Sequence, residues 1–323
     1  MPTSSQYIED LKENDIELCI IPLNISPLKS ILNLNKIIKT IKPKIIQNHF
    51  VNEYVFVLTP LIAKLNNVNK IFYMQHCNPE LRKKSIKSLF FNQYNKIFCV
   101  SKYIQENLIN AGVKSTVAIL QYLGLISDSK LTKPNEIQFE KLKNIPHEDT
   151  ILMCIGFDDP IKGVDILIKS FSMVIKKNKN IHLILIGVTP ESKLKDMSRD
   201  LRIEDNVHFL GIVDNAQQLL KNADIYIQPS RNEGLSLSIL EAMSKSLPVI
   251  AFKVGGISEL VINNKTGFLV EPENKMKLAE KIDLLINNLD LRKELGKNAY
   301  ERYKNYFSAD KSIDKLITEY YKL

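Results

Sequence analysis

Two glutamates, Glu233 and Glu241, stand in a run that leaves a predicted strand, crosses a loop and enters a predicted helix. Loop amides in front of a helix N-terminus, together with the helix dipole, form a site for an anion. Gly234 lets the backbone of this loop approach a ligand closely. Because a carboxylate beside a phosphate is electrostatically unfavourable, we expect the glutamates to face neutral hydroxyls, as on a sugar. Two plainer interpretations stay open: Ser238 and Glu241 match a capping box, and Glu233 is an exposed loop acid.

A second segment of the same organisation carries a cation. Residues 156–163 follow a predicted strand, open a helix and contain Lys162. Its ammonium offers a point charge for a phosphate. A lysine at a helix start opposes the helix dipole, so we expect an anionic partner for it. A solvated lysine beside a turn glycine is the alternative.

An ordered set of motifs runs through the second half of the chain. The central run matches at Pro229, Ser230, Glu233, Gly234, Glu241, Ala242 and Met243. The further matches are residues 248–251, 255–259 and 266–270, and upstream Gly156, Lys162, Gly163 and residues 209–211. Together these motifs resemble the retaining glycosyltransferases of family 4, which have the GT-B fold and a pair of glutamates separated by seven residues.

The resemblance implies a donor site for a UDP- or GDP-sugar. Lys162 would hold the diphosphate, Glu233 the sugar hydroxyls and Glu241 the ribose hydroxyls. The other implied donor-binding positions are Gly156 and Gly163, Gly234, Leu235 and Ser236 near sugar and phosphate, and Ile212 near the base. The family usually has an arginine where this chain has Phe157, and Arg231 is not assumed to replace it.

The catalytic candidates are Glu233 and His76. His76 ends a predicted strand of the first half, where the family often places a histidine near the reacting sugar. A histidine that is merely hydrogen-bonded within a loop is the alternative.

The implied reaction moves the sugar to an acceptor with retention, by departure and attack on one sugar face, because no nucleophile for a double displacement is visible. Charge on the leaving diphosphate needs fixed cations or dipoles. We expect Lys162 and helix N-termini to supply them, with no metal and no cofactor. Asp158 and Asp159 are the alternative, a metal site. The expected acceptor is a lipid-linked or surface-polysaccharide glycan, as in lipopolysaccharide synthesis.

Three other functions stay open. A truncated or degenerate domain would bind a nucleotide sugar without turnover, and an epimerase of similar shape would convert the donor without an acceptor. A nucleic-acid-binding protein is the third, but the chain has no zinc-finger spacing, RNP-type motif or Arg-rich cluster. Nucleic acid is therefore not expected as a partner.

The elements that must position these residues alternate along the chain. Short Ile/Val/Phe-rich runs alternate with amphipathic stretches, which predicts parallel strands joined by right-handed helical crossovers. The predicted strands are residues 16–22, 44–48, 70–75, 96–100, 116–121, 151–155, 182–186, 207–210, 224–228 and 248–252, and residues 275–323 are predicted to be helical.

We therefore expect an α/β protein of the GT-B class, with two Rossmann-like doubly wound domains facing a central cleft. The expected ranges are an acceptor-side domain at 1–130, a linker at 131–148, a donor-binding domain at 149–308 and a helix at 309–323 that packs back on the first domain. The first strand and Gly-rich loop of the family are not found, so we expect the first domain to lack them.

Composition limits the class of protein. The chain has 323 residues, 45% of them hydrophobic and 25% charged, which is ordinary for a globular protein of two domains. No apolar run reaches the ~18 residues of a membrane span. The N-terminus does not have the pattern of a signal peptide, and four separated cysteines indicate free thiols. We expect a soluble cytoplasmic protein.

Most of the net charge of +8 lies in the first half, where residues 1–130 carry 16 Lys and Arg against 9 Asp and Glu. Its densest part holds Arg82, Lys83, Lys84 and Lys87 among apolar residues. As a helix, this segment would suit an anionic membrane surface, so we expect peripheral attachment at the inner face of the membrane. A solvated basic face is the alternative.

Overall fold

The computed structural model of the protein describes residues 27–49, 53–79, 87–125, 142 and 144–322. The chain divides into two compact units, residues 1–121 with 321–323 and residues 122–320. Each unit contains one parallel sheet, as the alternating pattern predicts. The predicted division into 1–130, 131–148 and 149–308 stays a prediction, because most of the expected linker lies outside the described residues.

The first unit is built on a four-stranded parallel sheet whose strands lie in chain order. They are β1 (Ile45–His49), β2 (Lys70–Gln75), β3 (Lys96–Cys99) and β4 (Ala118–Leu120). The helices are α1 (Pro27–Ile41), α2 (Glu53–Leu65), α3 (Lys87–Phe91) and α4 (Lys102–Asn110). β2 and β3 are buried along almost their whole length, which is typical of central parallel strands.

Four of the five strands predicted for this half are confirmed, with ends that differ by at most two residues. The fifth, at 16–22, lies outside the described residues. So do the positions where the family's first strand and Gly-rich loop would stand, and the expectation that they are lacking stays a prediction.

The second unit is built on a six-stranded parallel sheet. Its strands are β5 (Thr150–Ile155), β6 (Ile181–Ile186), β7 (Val207–Gly211), β8 (Ile225–Gln228), β9 (Val249–Phe252) and β10 (Gly267–Val270), in the spatial order β10-β9-β8-β5-β6-β7. The five strands predicted here are confirmed. β10, which lies at the edge of the sheet, was not predicted, and its pairing with β9 defines it.

Helices connect and follow these strands. They are α5 (Val164–Val174), α6 (Lys193–Asp200), α7 (Leu237–Ser244), α8 (Ile257–Leu260), α9 (Lys275–Ile286), α10 (Leu289–Tyr306) and α11 (Ala309–Tyr321). The stretch predicted to be helical from residue 275 is thus three helices. Asn288 starts the second of them, because its side chain accepts a hydrogen bond from the Leu291 amide at 2.9 Å. Among the described residues, no helix combines the length and the apolar content needed to cross a bilayer.

The strand order of this sheet reverses at β5. β5 pairs with β6 on one side and with β8 on the other, where Leu152 lies opposite Ile225 and Met153 opposite Tyr226. In open α/β sheets, ligands bind outside the carboxyl ends of the strands at such a switch point. The loops that follow β5 and β8 are the two segments that the sequence singled out.

Candidate active site

The loops that follow β5 and β8 touch each other. Gly163 has a φ of +66°, a conformation that is costly for any residue with a Cβ, and a Cβ there would overlap the carbonyl oxygen of Pro229. The Arg231 amide donates to the carbonyl of Ile161 at 2.7 Å. The glycine permits this close approach, which brings both predicted segments to one place.

An ion pair joins these loops. Lys162 Nζ lies 2.7 Å from Glu233 Oε1, and the two side chains are 27% and 13% exposed. Ser230 Oγ donates to the same oxygen at 3.1 Å. The anionic partner expected for Lys162 is therefore a carboxylate of the neighbouring loop. No donor within the described residues reaches Glu233 Oε2, which leaves that oxygen available to a ligand.

The backbone of Glu233 is held by a third loop, which follows β9. Gly255 has a φ of +47°, and a Cβ there would overlap the Glu233 carbonyl oxygen. The Gly256 amide donates to that same oxygen at 3.2 Å. Glu233 is therefore fixed through both its main chain and its side chain, so the interpretation as an ordinary exposed loop acid is wrong.

Glu241 lies inside α7 and does not cap it. The cap is Ser236, whose Oγ accepts from the Ile239 amide, so the helix begins two residues earlier than a capping box at Ser238 would require. The capping interpretation of Glu241 is therefore wrong. Burial raises the pKa of Glu241 to about 7, although Lys245 lowers it. Among the described residues no side chain or amide donates to this carboxyl group, which makes it a partly buried acceptor in need of a donor.

Arg231 stands beside these loops, but its guanidinium is fully engaged. It donates to Asp165 at 2.9 and 3.1 Å, to Glu273 at 2.5 and 3.2 Å, and to the Pro160 carbonyl. These bonds use all five N–H donors of the group, so none is left for a phosphate. Arg231 ties the loops after β5, β8 and β10 together. It does not replace the arginine that is absent at Phe157, whose side chain is 56% exposed.

The acidic pair that offered a metal site has a local role as well. Asp159 caps the short 3₁₀ helix Pro160–Lys162 by accepting from the Ile161 amide at 2.8 Å. With Asp158, Asp165 and Arg231 it lines a cavity of about 290 Å³. In the described part of the chain, no three His, Cys, Asp or Glu side chains are grouped to hold a metal. The expectation of a reaction without metal stays a prediction.

The remaining predicted donor-binding residues follow strand ends at the same edge of the sheet. They are Gly156, Ile212, Gly234, Leu235 and Ser236. Gly156 continues the edge of β5 by donating to the Ile186 carbonyl at 2.9 Å, and Ile212 is 65% exposed. The side chains of Leu235 and Ser236 are buried, one in the core and one as the helix cap. Only their backbone can therefore contact a ligand.

His76 belongs to the first unit, where it follows β2 and lies beside His49, the last residue of β1. Their nitrogens Nε2 and Nδ1 are 3.2 Å apart. Burial, and then His49, lower the pKa of His76 to about 4, and burial also lowers the pKa of His49. Both imidazoles are therefore neutral at physiological pH. His49 was not identified from the sequence, although its position at the end of a predicted strand was a signal for it.

The second unit also matches known proteins. Residues 135–302 match the family model described as glycosyl transferases group 1. That range contains Lys162, Glu233 and Glu241. The chain belongs to the group 1 glycosyltransferases. The resemblance of the sequence motifs to glycosyltransferases is thereby confirmed at the level of group 1, whereas family 4 and retention stay predictions.

Two relatives of this group 1 glycosyltransferase show its place in the family. It is 33% identical over 241 residues to an uncharacterised glycosyltransferase of Methanocaldococcus jannaschii, over 72% of this chain and 62% of that relative. It is 29% identical over 222 residues to N-acetyl-alpha-D-glucosaminyl L-malate synthase of Bacillus anthracis, over 69% of this chain and 58% of the relative. The aligned part thus spans less than two thirds of either relative.

Solved structures share its fold. A glycosyltransferase from Rickettsia africae matches with a TM-score of 0.83 and 22% identity, over 98% of this chain and 87% of the other. HepE of Anabaena in complex with UDP matches with a TM-score of 0.79 and 20% identity, over 98% and 90%. The expected fold class, α/β with two parallel sheets of the GT-B type, is confirmed.

Proposed function

We propose that this group 1 glycosyltransferase moves a sugar from a nucleotide-diphosphate sugar to an acceptor with retention of configuration. The observation that carries the proposal is the contact between Lys162 and Glu233 at the switch point of the sheet. It places a cation beside a carboxylate that has one oxygen available, while Glu241 offers a second carboxyl group to which none of the described residues donates. Such a set suits the diphosphate, the sugar and the ribose of one ligand.

The diphosphate binds at Lys162 and at the start of α5. The N-cap position of this helix is Gly163, which has no side chain to cap it. Among the described residues, no acceptor bonds the amides of Val164 and Asp165, so these two are available to phosphate oxygens. The diphosphate competes with Glu233 for the ammonium, and Glu233 in turn accepts hydrogen bonds from the sugar. Glu241 accepts from the ribose, and hydroxyl donors stabilise its charged form.

Bond cleavage between the sugar and the diphosphate builds negative charge on the leaving group. Lys162 and the α5 amides are fixed where that charge develops, which is the most effective form of electrostatic catalysis. With these groups in place, the proposed reaction needs no metal. The acceptor attacks the face from which the diphosphate departs. The Bacillus anthracis relative is named for an alpha-linked product, which supports retention at an alpha-linked UDP-sugar.

The proposed donor is a UDP-sugar, with a GDP-sugar as the second choice. The HepE neighbour has been solved with UDP and with UDP-glucose. The proposed acceptor is a surface-polysaccharide or lipid-linked glycan. A Staphylococcus aureus relative that is 28% identical over 230 residues is named as a capsular polysaccharide biosynthesis glycosyltransferase.

A donor screen tests the proposal. Thermal melting with UDP- and GDP-sugars identifies the donor, because a ligand raises apparent stability according to its concentration relative to its affinity. Turnover is then measured with candidate glycans for the wild type, Glu233→Ala and the control Glu191→Ala, an exposed acid after β6. We expect transfer by the wild type and the control but not by Glu233→Ala. Saturable donor binding without turnover in the wild type would instead support a binding domain without transferase activity.

We further propose that the first unit docks on an anionic membrane surface. It exposes apolar side chains on α2 and α3, namely Leu61, Leu65, Leu89 and Phe90, which are 55%, 75%, 60% and 38% exposed. Lys64 Nζ donates to Gln93 Oε1 at 3.1 Å, which brings the end of α2 close to the end of α3. Exposed leucines beside lysines form the surface that anionic lipids attract.

One residue of the basic segment adds charge beside this surface. Lys87 is exposed at the start of α3, whereas Arg82, Lys83 and Lys84 lie outside the described residues. Replacing these four by Gln should weaken binding to phosphatidylglycerol vesicles by about 1 kcal/mol of binding free energy per charge. Less protein should then sediment with the vesicles. The control replaces four exposed lysines of the second unit, Lys176, Lys177, Lys179 and Lys193, by Gln. Equal losses in both variants, or none, would contradict docking through this face.

A further inference from the structure

A chain of hydrogen bonds between buried side chains leads to Glu233 from the interior of the second unit. Tyr226 Oη donates to Gln228 Oε1 at 2.6 Å, and Gln228 Nε2 donates to Ser230 Oγ at 2.7 Å. Ser230 Oγ then donates to Glu233 Oε1 at 3.1 Å. Tyr226 and Ser230 are 0% exposed and Gln228 is 1% exposed. The three residues alternate along and just beyond β8, so the strand itself aligns them on one face.

One orientation of the Gln228 amide satisfies this chain. Its Oε1 accepts from Tyr226 and also from Ser238 Oγ at 2.9 Å, which leaves Nε2 to donate to Ser230. Because Ser230 Oγ accepts that bond, its own hydrogen goes to Glu233. The reverse orientation would draw the Ser230 hydrogen towards Gln228. Two oxygen acceptors, on Ser230 and Glu233, would then face each other at 3.1 Å.

The donors at the end of the hydrogen-bond series away from Glu233 are Ser236, Ser238 and Tyr226. Ser236 Oγ and Ser238 Oγ are 3.1 Å apart, and since the Ser238 hydrogen is committed to Gln228, Ser236 is the donor. Burial raises the pKa of Tyr226 well above its ordinary value, so the phenol keeps its proton. The donors of Ser236, Ser238 and Tyr226 therefore lead through Gln228 and Ser230 to Glu233 Oε1.

We propose that Gln228 and Ser230 are positioning residues for the carboxylate of Glu233, and that Tyr226 and Ser238 act through them by holding the Gln228 amide in one orientation. This inference rests on the proposed function, in which Glu233 binds the sugar. Lys162 and Ser230 both donate to Oε1, and when a diphosphate draws Lys162 away, Ser230 still donates to Oε1 and leaves Oε2 for a sugar hydroxyl. A pre-organised acceptor binds more tightly than one that must first be ordered.

The variants separate orientation from packing. Ser230→Ala removes the donor to Glu233, and Ser230→Thr retains it. The double variant Tyr226→Phe with Ser238→Ala leaves Ser230 and Glu233 in place but frees the amide to turn, whereas each single variant leaves one donor on Oε1. Ser170→Ala is the matched control, a fully buried serine of α5 whose hydroxyl donates to the Ile166 carbonyl of the same helix.

Calorimetry with two probes, UDP and UDP-glucose, reports on the sugar alone. The ratio of their dissociation constants isolates the contribution of the glucose, and thermal melting reports on the fold. We expect Ser230→Ala to weaken UDP-glucose relative to UDP about tenfold, the effect of one hydrogen bond to a charged group. The double variant should do the same. The single variants, Ser230→Thr and Ser170→Ala should keep the wild-type ratio.

Glu233→Gln distinguishes the two ways in which the idea can fail. If this variant keeps the wild-type ratio, Glu233 does not bind the sugar and the proposed function of that residue is wrong. If it changes the ratio while Ser230→Ala and the double variant lower only the melting temperature, the chain is structural and the positioning role is overturned. Should Ser230→Ala not fold, the double variant decides, because it retains both Ser230 and Glu233.

Discussion

Lys162 Nζ and Glu233 Oε1 are 2.7 Å apart, although 71 residues separate them in the chain. The contact joins the 3₁₀ helix after β5 to the loop after β8. In the proposed reaction the lysine binds the diphosphate and the carboxylate accepts hydrogen bonds from the sugar. One ion pair therefore links the two halves of the donor, and a diphosphate has to compete with Glu233 for the ammonium.

Replacing the lysine should weaken diphosphate binding. Lys162→Ala removes a charged hydrogen bond, so we expect UDP affinity to fall by about 1.5–3 kcal/mol, measured by calorimetry. Lys169→Ala is the control, because Lys169 lies in the second turn of α5, is 41% exposed and pairs with Asp165 at 3.6 Å. Equal affinities for Lys162→Ala and wild type would remove Lys162 from the donor site.

Replacing the glutamate should have the opposite effect on UDP. Glu233→Ala releases Lys162 from its carboxylate partner, so UDP should bind as tightly as in the wild type or more tightly, while transfer is lost. The fold should persist, since a loop carboxylate contributes little to the core. The measurement is calorimetry with UDP alongside turnover. A variant that still transfers sugar at the wild-type rate would refute the assigned role.

Glu241 should make stability fall as the pH rises. Burial raises its pKa to about 7, above the value of the unfolded chain, so the native state holds the proton more tightly. Stability from this group is then greatest below its ordinary pKa and is lost as the pH rises through about 7, on the order of 3 kcal/mol in all. Glu241→Gln removes the titration, so its melting temperature should fall less between about pH 5 and pH 8. Parallel curves for the variant and the wild type would contradict this.

Gly163 should tolerate alanine far less than Gly211 does. Both have a left-handed φ, +66° and +68°, so both substitutions carry the same backbone strain, about 1–2 kcal/mol. Only at Gly163 would the new Cβ overlap a backbone carbonyl, that of Pro229, whereas at Gly211 it meets Pro190 Cδ at 3.9 Å. Denaturant unfolding should show Gly163→Ala to be the more destabilising. Equal losses would mean that the loops after β5 and β8 do not touch as described.

Arg231 should be needed for stability rather than for phosphate binding. Arg231→Lys loses the paired bonds to Asp165 and Glu273, which an ammonium cannot reproduce. We expect a loss of about 1.5–3 kcal/mol in unfolding free energy. Arg199→Lys, at an exposed pair with Asp196, should change it by less than about 0.5 kcal/mol. A folded Arg231→Lys protein of normal stability that no longer binds UDP would contradict this assignment.

Local patterns in the sequence predict most of the elements. Parallel strands buried on both faces leave continuous apolar runs, and helices leave a periodic face, so these patterns predict every described strand except β10. β10 is an edge strand that only its pairing with β9 defines. Glu241 matches a capping box in the sequence, yet the helix starts at an earlier serine, since the first-turn geometry and not the motif selects the cap.

Residue types and their order were enough to indicate an α/β chain of the glycosyltransferase kind. They also identified Lys162, Glu233 and Glu241 as candidates, because the charge of a side chain is known from its residue type. Their meeting was decided by the order of strands in the sheet. β8 pairs with β5 and not with its chain neighbour β7, a choice made by long-range burial that no local window contains. The tertiary structure also places Arg231 between the carboxylates of Asp165 and Glu273 and orients the Gln228 amide. The sequence could not show this, because these partners become neighbours only when the chain folds.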